Sequence, residues 1–366
     1  MRPPSPEARE QMPGVSVVIC SFTLQRWDDL RDAVGSVRRQ TAPPLEIVVA
    51  SDSNPELLAR VRAEMPDVVA VANRYGRGAS GARNSGVAAA AGDVVAFLDD
   101  DAVADEHWLE ELVPALTDEC RGPVIGAGGW MVPLWSGAAP RWFPAEFYWV
   151  LGVSYRGLPT KRVEIRNVWT CNMAIRRDAF DAVGGFRQDF GKVGGRARPE
   201  DTDLCLRTRV AFPGAVWMFE PAAVAGHKVP AGRATLKYFV QRCYAEGAGK
   251  AELVALSDGD AMSDERRHAL RALPRGVARG LAETVTGRDL AGIARSGAII
   301  VGLAVAAAGR AAGAVAIWRA RRHAERTTRR AQRGAARAQQ PPGCRPAPAT
   351  LVPAEPPEKP DHESAA

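Results

Sequence analysis

Short apolar runs alternate with amphipathic stretches along residues 14–101. The runs are rich in β-branched residues and bounded by turn residues, a pattern typical of strands buried on both faces. They occupy residues 15–20, 45–50, 68–72 and 94–98. The segments between them have helical periodicity, and Asn54-Pro55 is a helix start with its N-cap. The order β-α-β-α-β-α-β predicts an α/β fold with a doubly wound, mostly parallel sheet and helices on both faces.

Three aspartates, Asp99, Asp100 and Asp101, follow the fourth run directly. Ligands of open α/β sheets bind at the carboxyl ends of strands. Side chains alternate along an extended chain, so we expect Asp99 and Asp101 on one face and Asp100 on the other. Two adjacent carboxylates favour a hard divalent cation, Mg²⁺ or Mn²⁺. The alternative is a solvated acidic turn that caps a helix starting near Ala104.

A glycine-rich loop, residues 73–81, follows the third run. Its glycines fit the G-x-G-x-x-G spacing, but that motif belongs after the first strand of a dinucleotide-binding unit. The basic residues Arg74, Arg77 and Arg83 are more informative, since they could face a pyrophosphate across the crevice. A solvated arginine-rich turn is the alternative.

Beyond residue 102 three features suggest further chemistry. Residues 133–160 are aromatic and irregular, which suits stacking on a sugar, covering a lipid, or packing over the sheet edge. Glu200, Asp201 and Asp203 lie in the first turn of a predicted helix, where the helix dipole alone already favours acids. His227 is predicted to lie in a loop after a strand, and it is a candidate metal ligand or an ordinary surface histidine.

Composition limits the classes of protein that need considering. The chain has 366 residues, 46% hydrophobic and 25% charged, as in soluble globular proteins. Its net charge of +6 comes largely from an Arg-rich C-terminal stretch, so we do not predict nucleic-acid binding. The cysteines are scattered without metal-type spacing, and the polar N-terminus lacks an apolar signal sequence. A cytoplasmic location is the default expectation.

The C-terminal region has a different character. Residues 297–318 are apolar and residues 319–337 are rich in arginine. The uncharged run between Arg295 and Arg310 is shorter than the ~20 residues of a spanning helix. An apolar helix with a basic flank predicts peripheral attachment to the inner face of the cell membrane. The alternative is a soluble helical hairpin packed on the domain.

Several of these features, in this order, resemble family-2 glycosyltransferases of the GT-A fold. The resemblance covers residues 14–230 and rests on the first strand, Asp52, residues 81–86, the aspartate cluster and Glu200-Asp201. It implies a glycosyltransferase domain at residues 14–255, with a nucleotide-sugar-binding half, 14–101, and an acceptor half, 102–255. The remaining segments are then a disordered N-terminus, 1–13, a helical extension, 256–337, and a disordered proline-rich tail, 338–366.

The resemblance also implies an activity: transfer of a sugar from a nucleoside-diphosphate donor to a hydroxyl acceptor, with inversion. Asp201 would be the general base, with Glu200 as a competing candidate, and Mg²⁺ or Mn²⁺ would bind Asp99 and Asp101. His227 is added as a further metal ligand from its predicted position alone. The implied donor-binding residues are Ser21, Thr23, Asp52, Arg83, Asp99 and Asp100. A carboxylate near its usual pKa serves as a base without strong tuning.

Two departures from the family pattern leave the nucleobase open. Ser51-Asp52 offers one acid where a pair is usual, and Thr23 stands where asparagine is common. The acceptor also stays open: a glycan, a lipid-linked compound or a small molecule. Sugar-nucleotidyltransferases share the sheet and metal but carry a glycine-rich phosphate loop after the first strand, whereas a nucleotide-sugar-binding protein would need no base. Release of nucleoside diphosphate from the donor would indicate a glycosyltransferase, release of pyrophosphate a nucleotidyltransferase, and release of neither a binding protein.

Overall fold

A computed structural model of the protein describes residues 13–117, 122–193, 196–256 and 263–338. The chain divides into two compact units, with the boundary between Ile317 and Trp318. All residues discussed as a functional site lie in the first unit. The segments predicted to be disordered, 1–13 and 338–366, lie almost entirely outside the described residues, and the predicted domain boundaries stay predictions.

The first half of the sheet is parallel, as the alternating pattern predicts. Its strands lie in the order β3-β2-β1-β4. The strands are β1 (Val15–Ser21), β2 (Glu46–Ser51), β3 (Val69–Ala72) and β4 (Val94–Asp99). The intervening helices are α1 (Trp27–Arg38), α2 (Pro55–Glu64), which Asn54 caps, and α3 (Ala79–Ala89). Leu30 of α1 packs in one core with Ile19, whereas Val87 of α3 packs with Val18 on the opposite face.

The second half of the sheet is mixed and continues in the order β4-β8-β6-β11-β5, with β7 on β11. Strand β8 is antiparallel to β4 and β6, and β11 is parallel to β6 but antiparallel to β5 and β7. The strands of this half are β5 (Ala102–Ala104), β6 (Val124–Trp135), β7 (Val163–Ile165), β8 (Asn172–Arg176) and β11 (Val216–Val229). Strands β9 (Gly191–Val193) and β10 (Arg196–Arg198) form a separate two-stranded sheet. The helices are α4 (Trp108–Leu112), α5 (Arg177–Ala182) and α6 (Glu200–Ala211).

The prediction that His227 lies in a loop is wrong. Strand β11 runs on to Val229, and His227 pairs with Ala102 of β5 and Pro133 of β6. Pro221 suggests a strand end in the sequence, but the register shifts between Glu220 and Val224. An irregularity of this kind tolerates proline within a strand, since no ladder N–H is required there.

Three short strands are not visible in the sequence pattern. Residues 102–104 form strand β5, so the alternative of an acidic turn that caps a helix near Ala104 is wrong. Strands β9 and β10 pair with each other in the antiparallel sense. Each of the three strands is three residues long, too short for a pattern of alternating residues to reveal.

The aromatic segment, residues 133–160, serves mainly as packing. Phe143 and Phe147 are buried, and each ring centroid lies 5.3 Å from that of Phe239 in the first C-terminal helix. Of the three interpretations offered by the sequence, packing therefore describes these two rings. Trp149 lines the large cleft described below.

Helices dominate the rest of the described chain. They are α7 (Leu236–Leu256), α8 (Ser263–Arg267), a π-helical turn (His268–Ala272), α9 (Leu273–Val285) and α10 (Gly292–Ala338). Helix α10 contains a segment, Gly292–Ala324, that is long and apolar enough to cross a membrane, with 22% of its apolar window buried. Within the first unit the backbones of α10 and α7 approach closely at Gly309. A Cβ added there would lie only 2.1 Å from the Tyr244 carbonyl oxygen.

Candidate active site

A cleft of about 1460 Å³ lies beside the carboxyl ends of β1 and β4. Seven of the residues singled out from the sequence line it: Arg83, Asp99, Asp100, Asp101, Glu200, Asp201 and His227. Four elements bring them together: α3, the end of β4, the start of α6, and β11. The crevice is at the place where open α/β sheets bind ligands.

Asp99, Asp101 and His227 form a cluster suited to a metal ion. One potential ligand atom from each lies within 4.8 Å of the other two. His227 Nε2 is 3.1 Å from Asp101 Oδ1, while the buried Nδ1 atom has no hydrogen-bond partner among the described residues. Carboxylate oxygens suit Mg²⁺ and Mn²⁺, and an imidazole nitrogen is a ligand that transition metals accept more readily than Mg²⁺. The donor set therefore fits a divalent cation.

Asp101 is held as a carboxylate. Burial alone would raise its pKa, but the hydrogen bond and charge of His227 oppose this, helped by Arg26 and Arg233. The pKa of Asp101 falls to about 2 as a result. An ionised oxygen donor is what a divalent cation needs.

Asp100 binds residues at the end of β1 and just after it, and it is outside the group of Asp99, Asp101 and His227. It accepts hydrogen bonds from Ser21 Oγ at 2.6 Å and from Arg26 NH1 at 3.0 Å. Burial raises the pKa of Asp100 to about 6, although the bond from Ser21 and the charge of Arg26 work against that rise. The role of Asp100 within the protein is thus to bind Ser21 and Arg26.

Arg26 was missed by the sequence analysis. Its NH1 atom lies 3.0 Å from Asp100 and 3.2 Å from Asp101, so one guanidinium contacts both carboxylates. A signal was available, because Arg26 comes shortly after the polar turn that ends the first strand. Arg233 is a second missed cation, 3.6 Å from Asp101.

Arg83 links the aspartate cluster to helix α6. It is buried, and it donates hydrogen bonds to Asp99 at 3.0 Å and to Glu200 at 2.9 Å. Burial would lower its pKa, but the two carboxylates raise it above the ordinary value. Arg74 and Arg77, which also flank the glycine-rich loop, are exposed. Arg83 is therefore the basic residue of that loop region that enters the site.

Asp201 lies in the first turn of α6, and its Oδ1 accepts a hydrogen bond from the Thr202 N–H at 2.6 Å. Loss of hydration, the larger cause, and the neighbouring charge of Glu200 together raise the pKa of Asp201 to about 7. The expectation of an ordinary pKa is wrong for this reason. Asp203 is turned away and accepts from Arg207 Nε at 2.8 Å.

Three predicted donor-binding residues lie beside the cleft rather than in its lining. Ser21 holds Asp100, and Thr23 Oγ1 accepts a hydrogen bond from Gln25 N at 3.2 Å. Asp52 accepts from Asn73 Nδ2 at 2.7 Å and from the Gly78 N–H at 2.9 Å. The two bonds of Asp52 fix the glycine-rich loop against the end of β2. Asn73, which donates one of them, was not singled out by the sequence analysis.

Comparison with known proteins adds independent findings. Residues 16–184 match the family model described as glycosyl transferase family 2. The chain is 35% identical over 240 residues to the glucosyl-dolichyl phosphate glucuronosyltransferase of Haloferax volcanii, covering 64% of this chain and 76% of that protein. It is 30% identical over 271 residues to the succinoglycan biosynthesis protein ExoM of Rhizobium meliloti, covering 70% and 77%.

A solved structure is also similar. The mannosyltransferase PcManGT from Pyrobaculum calidifontis, solved in complex with GDP-Man and Mn²⁺, superposes with a TM-score of 0.51. The match covers 81% of this chain and 87% of that one, at 18% sequence identity. At that identity the likeness shows a shared fold.

Proposed function

The chain belongs to glycosyl transferase family 2, and on that premise we propose that it moves a sugar from a nucleoside-diphosphate donor to a hydroxyl group, with inversion. One observation carries the proposal. The carboxylate-imidazole cluster of Asp99, Asp101 and His227 shares a single cleft with Asp201. Such a cleft offers a site for the donor diphosphate and a base for the acceptor.

Donor binding is assigned to the cluster side of the cleft. A bound Mg²⁺ or Mn²⁺ would be held by Asp99, Asp101 and His227, and it would supply positive charge that stabilises the departing diphosphate. The chain's own cations act there as well. Arg26 and Arg83 lie at the cluster through their carboxylate contacts and add fixed positive charge where the diphosphate would bind.

Asp201 is assigned the role of general base. It takes the proton from the acceptor hydroxyl, and a pKa of about 7 is well matched to that task near neutral pH. Glu200 acts on Asp201 through its charge, while its own carboxylate binds Arg83. We therefore give Glu200 a positioning role, orienting Arg83 and raising the basicity of Asp201.

For the acceptor we favour a lipid-linked compound at the inner face of the cell membrane. The Haloferax relative is named for a dolichyl-phosphate acceptor. In this chain the membrane attachment is assigned to α10, whose residues Ile293, Ile300 and Val301 are exposed although apolar. The buried side of α10 packs on the domain, so the helix would lie in the interface rather than cross the bilayer.

The products of donor turnover test this function. Purified protein is incubated with a panel of UDP- and GDP-sugars, with and without Mn²⁺, and the released nucleotide is identified. We expect nucleoside diphosphate, released faster with Mn²⁺. Release of pyrophosphate would identify a nucleotidyltransferase, and binding without turnover, together with no transfer to any acceptor, would identify a binding protein.

A further inference from the structure

The cleft extends well beyond the aspartate cluster, and its far wall is cationic. This wall is formed by α7, α8, the π-helical turn, α9 and α10. Its arginines include Arg242, Arg271, Arg275 and Arg310. Within the described residues none of these four forms an ion pair, so their charge is not neutralised by the protein.

The acids of the same wall are already occupied. Glu265 lies 2.8 Å from both Arg166 and Lys250, and Glu246 lies 3.7 Å from Lys250. Arg242 is different, because its Nε atom is buried and has no hydrogen-bond partner in the described part of the chain. A buried guanidinium N–H without a partner is costly, and an anionic ligand would satisfy it.

A second cavity, an apolar groove of about 350 Å³, opens from this wall. It lies between α9 and α10, and every side chain that lines it is apolar, among them Val277 and Ile300. Leu273, Leu303 and Ala307 line both the groove and the cleft, so the two spaces adjoin at these side chains. The groove has the composition of a hydrocarbon site beside the arginine-lined cleft.

The surface around the groove is also apolar. Leu270 is 78% exposed, Ile300 is 59% exposed, and Leu281 and Leu303 are exposed as well. Exposed apolar side chains on the same helices as a groove are a feature of ligand grooves and membrane contacts. The aspartate cluster, Asp201 and the arginines therefore line one cleft, and the apolar groove adjoins it.

From the unpaired arginines and the adjoining apolar groove we infer that the arginine wall and the groove are the binding site of an anionic amphiphilic acceptor. Its phosphate binds at Arg242 and Arg310, and its hydrocarbon chain leaves through the groove between α9 and α10. The inference deepens the proposed function and rests on it, since it places a lipid phosphate at the acceptor end of the same cleft. The sugar or hydroxyl attached to that phosphate then points towards Asp201.

Binding of simple amphiphiles tests the site without knowledge of the acceptor. Dodecyl phosphate is titrated below its micelle concentration into the full chain, and butyl phosphate and dodecyl maltoside are titrated for comparison. We expect dodecyl phosphate to bind at least about tenfold more tightly than either, because it alone has both the charge and the chain. Equal affinity for dodecyl phosphate and dodecyl maltoside, or for the two phosphates, would overturn the inference.

Matched variants locate the binding. Arg242→Gln should weaken both phosphates, with Lys237→Gln on the exposed side of the same helix as its control. Ile300→Asn should weaken dodecyl phosphate but leave butyl phosphate unchanged, with the neighbouring Val301→Asn as its control, since Val301 is 44% exposed and lines neither cavity. Unchanged dodecyl phosphate binding in either test variant would contradict the assignment.

The same samples separate this inference from the proposed function. Binding of UDP or GDP with Mn²⁺ reports the aspartate cluster, and it should be equal in the wild type and all four variants. It also serves as the check that each variant is folded. Loss of nucleotide binding throughout would count against the proposed function, whereas normal nucleotide binding without recognition of dodecyl phosphate would count against the acceptor site alone.

Discussion

His227 Nε2 lies 3.1 Å from Asp101 Oδ1, although the two residues are far apart in the sequence. The antiparallel pairing of β5 with β11 creates this contact, since Ala102, next to Asp101, pairs directly with His227. The histidine is therefore held by the sheet rather than by a loop. A ligand fixed in this way is already positioned before a cation binds, which limits the entropy lost on binding.

Removing one carboxylate of the cluster should abolish metal-dependent nucleotide binding. We expect Asp101→Asn to lower the affinity for UDP or GDP with Mn²⁺ by at least about tenfold, roughly 1.4 kcal/mol. The control is Asp93→Asn, an exposed aspartate just before the start of β4. Calorimetry with and without a chelator measures both, and chelator-sensitive binding retained by Asp101→Asn would exclude this metal site.

Asp201→Asn should fold and bind donor normally, with turnover reduced on the order of 10²–10⁴-fold. Its neighbour provides the contrast, because Asp203 is buried and bound to Arg207 on the far side of the helix turn. Asp203→Asn should lower the melting temperature and leave the turnover of the folded enzyme nearly unchanged. The assay is sugar transfer to an identified acceptor, and a near wild-type rate for Asp201→Asn would remove it from this role.

The pH dependence of transfer should reflect the raised pKa of Asp201. The base acts when deprotonated, so kcat/KM should increase as the pH rises through about 7. Glu200→Gln removes the carboxylate that raises this pKa, and the rising limb should move to lower pH, whereas Glu56→Gln on the surface of α2 should not move it. A limb in the same place for both variants would argue against Asp201 as the titrating group.

The same group has a defined effect on stability. Its folded-state pKa is raised from 3.8 to about 7, so protonation favours the folded state. This contribution is present at acidic pH and is lost as the pH rises through 7. In Asp201→Asn this part of the pH dependence of the unfolding free energy should disappear, and urea titrations at several pH values measure it.

At Gly309, where α10 packs against α7, a larger residue should destabilise the fold. A Cβ at Gly309 would lie 2.1 Å from the Tyr244 carbonyl oxygen, so Gly309→Val should lower the free energy of unfolding by roughly 1–3 kcal/mol. Gly297, on the same helix, has nothing within 4 Å of an added Cβ, and Gly297→Ala should be stabilising by up to about 1 kcal/mol. Thermal denaturation of the pair checks the signs; equal effects would contradict the packing.

Attachment to membranes should depend on the exposed face of α10. We expect a variant with Ile293→Asn and Val301→Asn to cosediment with anionic vesicles much less than the wild type. Val210→Asn, which replaces an 80% exposed valine on α6, is the control. Deleting the helix is a poorer test, because Ile299 is buried in the main core. Equal sedimentation of all three proteins would exclude α10 as the attachment site.

The sequence predicted the fold and the family correctly, because characteristic residues stand at the ends of recognisable strands and helices. The GT-A fold and the family, inferred from the order of the motifs, are confirmed. The carboxylate cluster at the end of the fourth strand was also visible, because three aspartates directly follow a buried apolar run. These features depend on local pattern, and local pattern is what a single sequence displays.

What the sequence could not reveal depends on pairing between distant segments. The contact of His227 with Asp101 requires β11 to continue past Pro221, and no local signal shows that a strand can absorb a proline at an irregularity. The pKa of Asp201 is equally non-local, because it results from burial in a cleft assembled from several elements. Arg26 remained unnoticed since one arginine after a turn is common.

Helix α10 has a consequence for the order in which the protein can be made. Gly302 lies against Phe147 and Phe239, so the aromatic core beneath the cleft is closed by a helix that is synthesised after every other element of the first unit. A nascent chain that already contains the aspartates and Asp201 still exposes those rings to water. During synthesis such an intermediate has an exposed hydrophobic surface that is prone to aggregation. That surface must be shielded from other chains until α10 emerges from the ribosome.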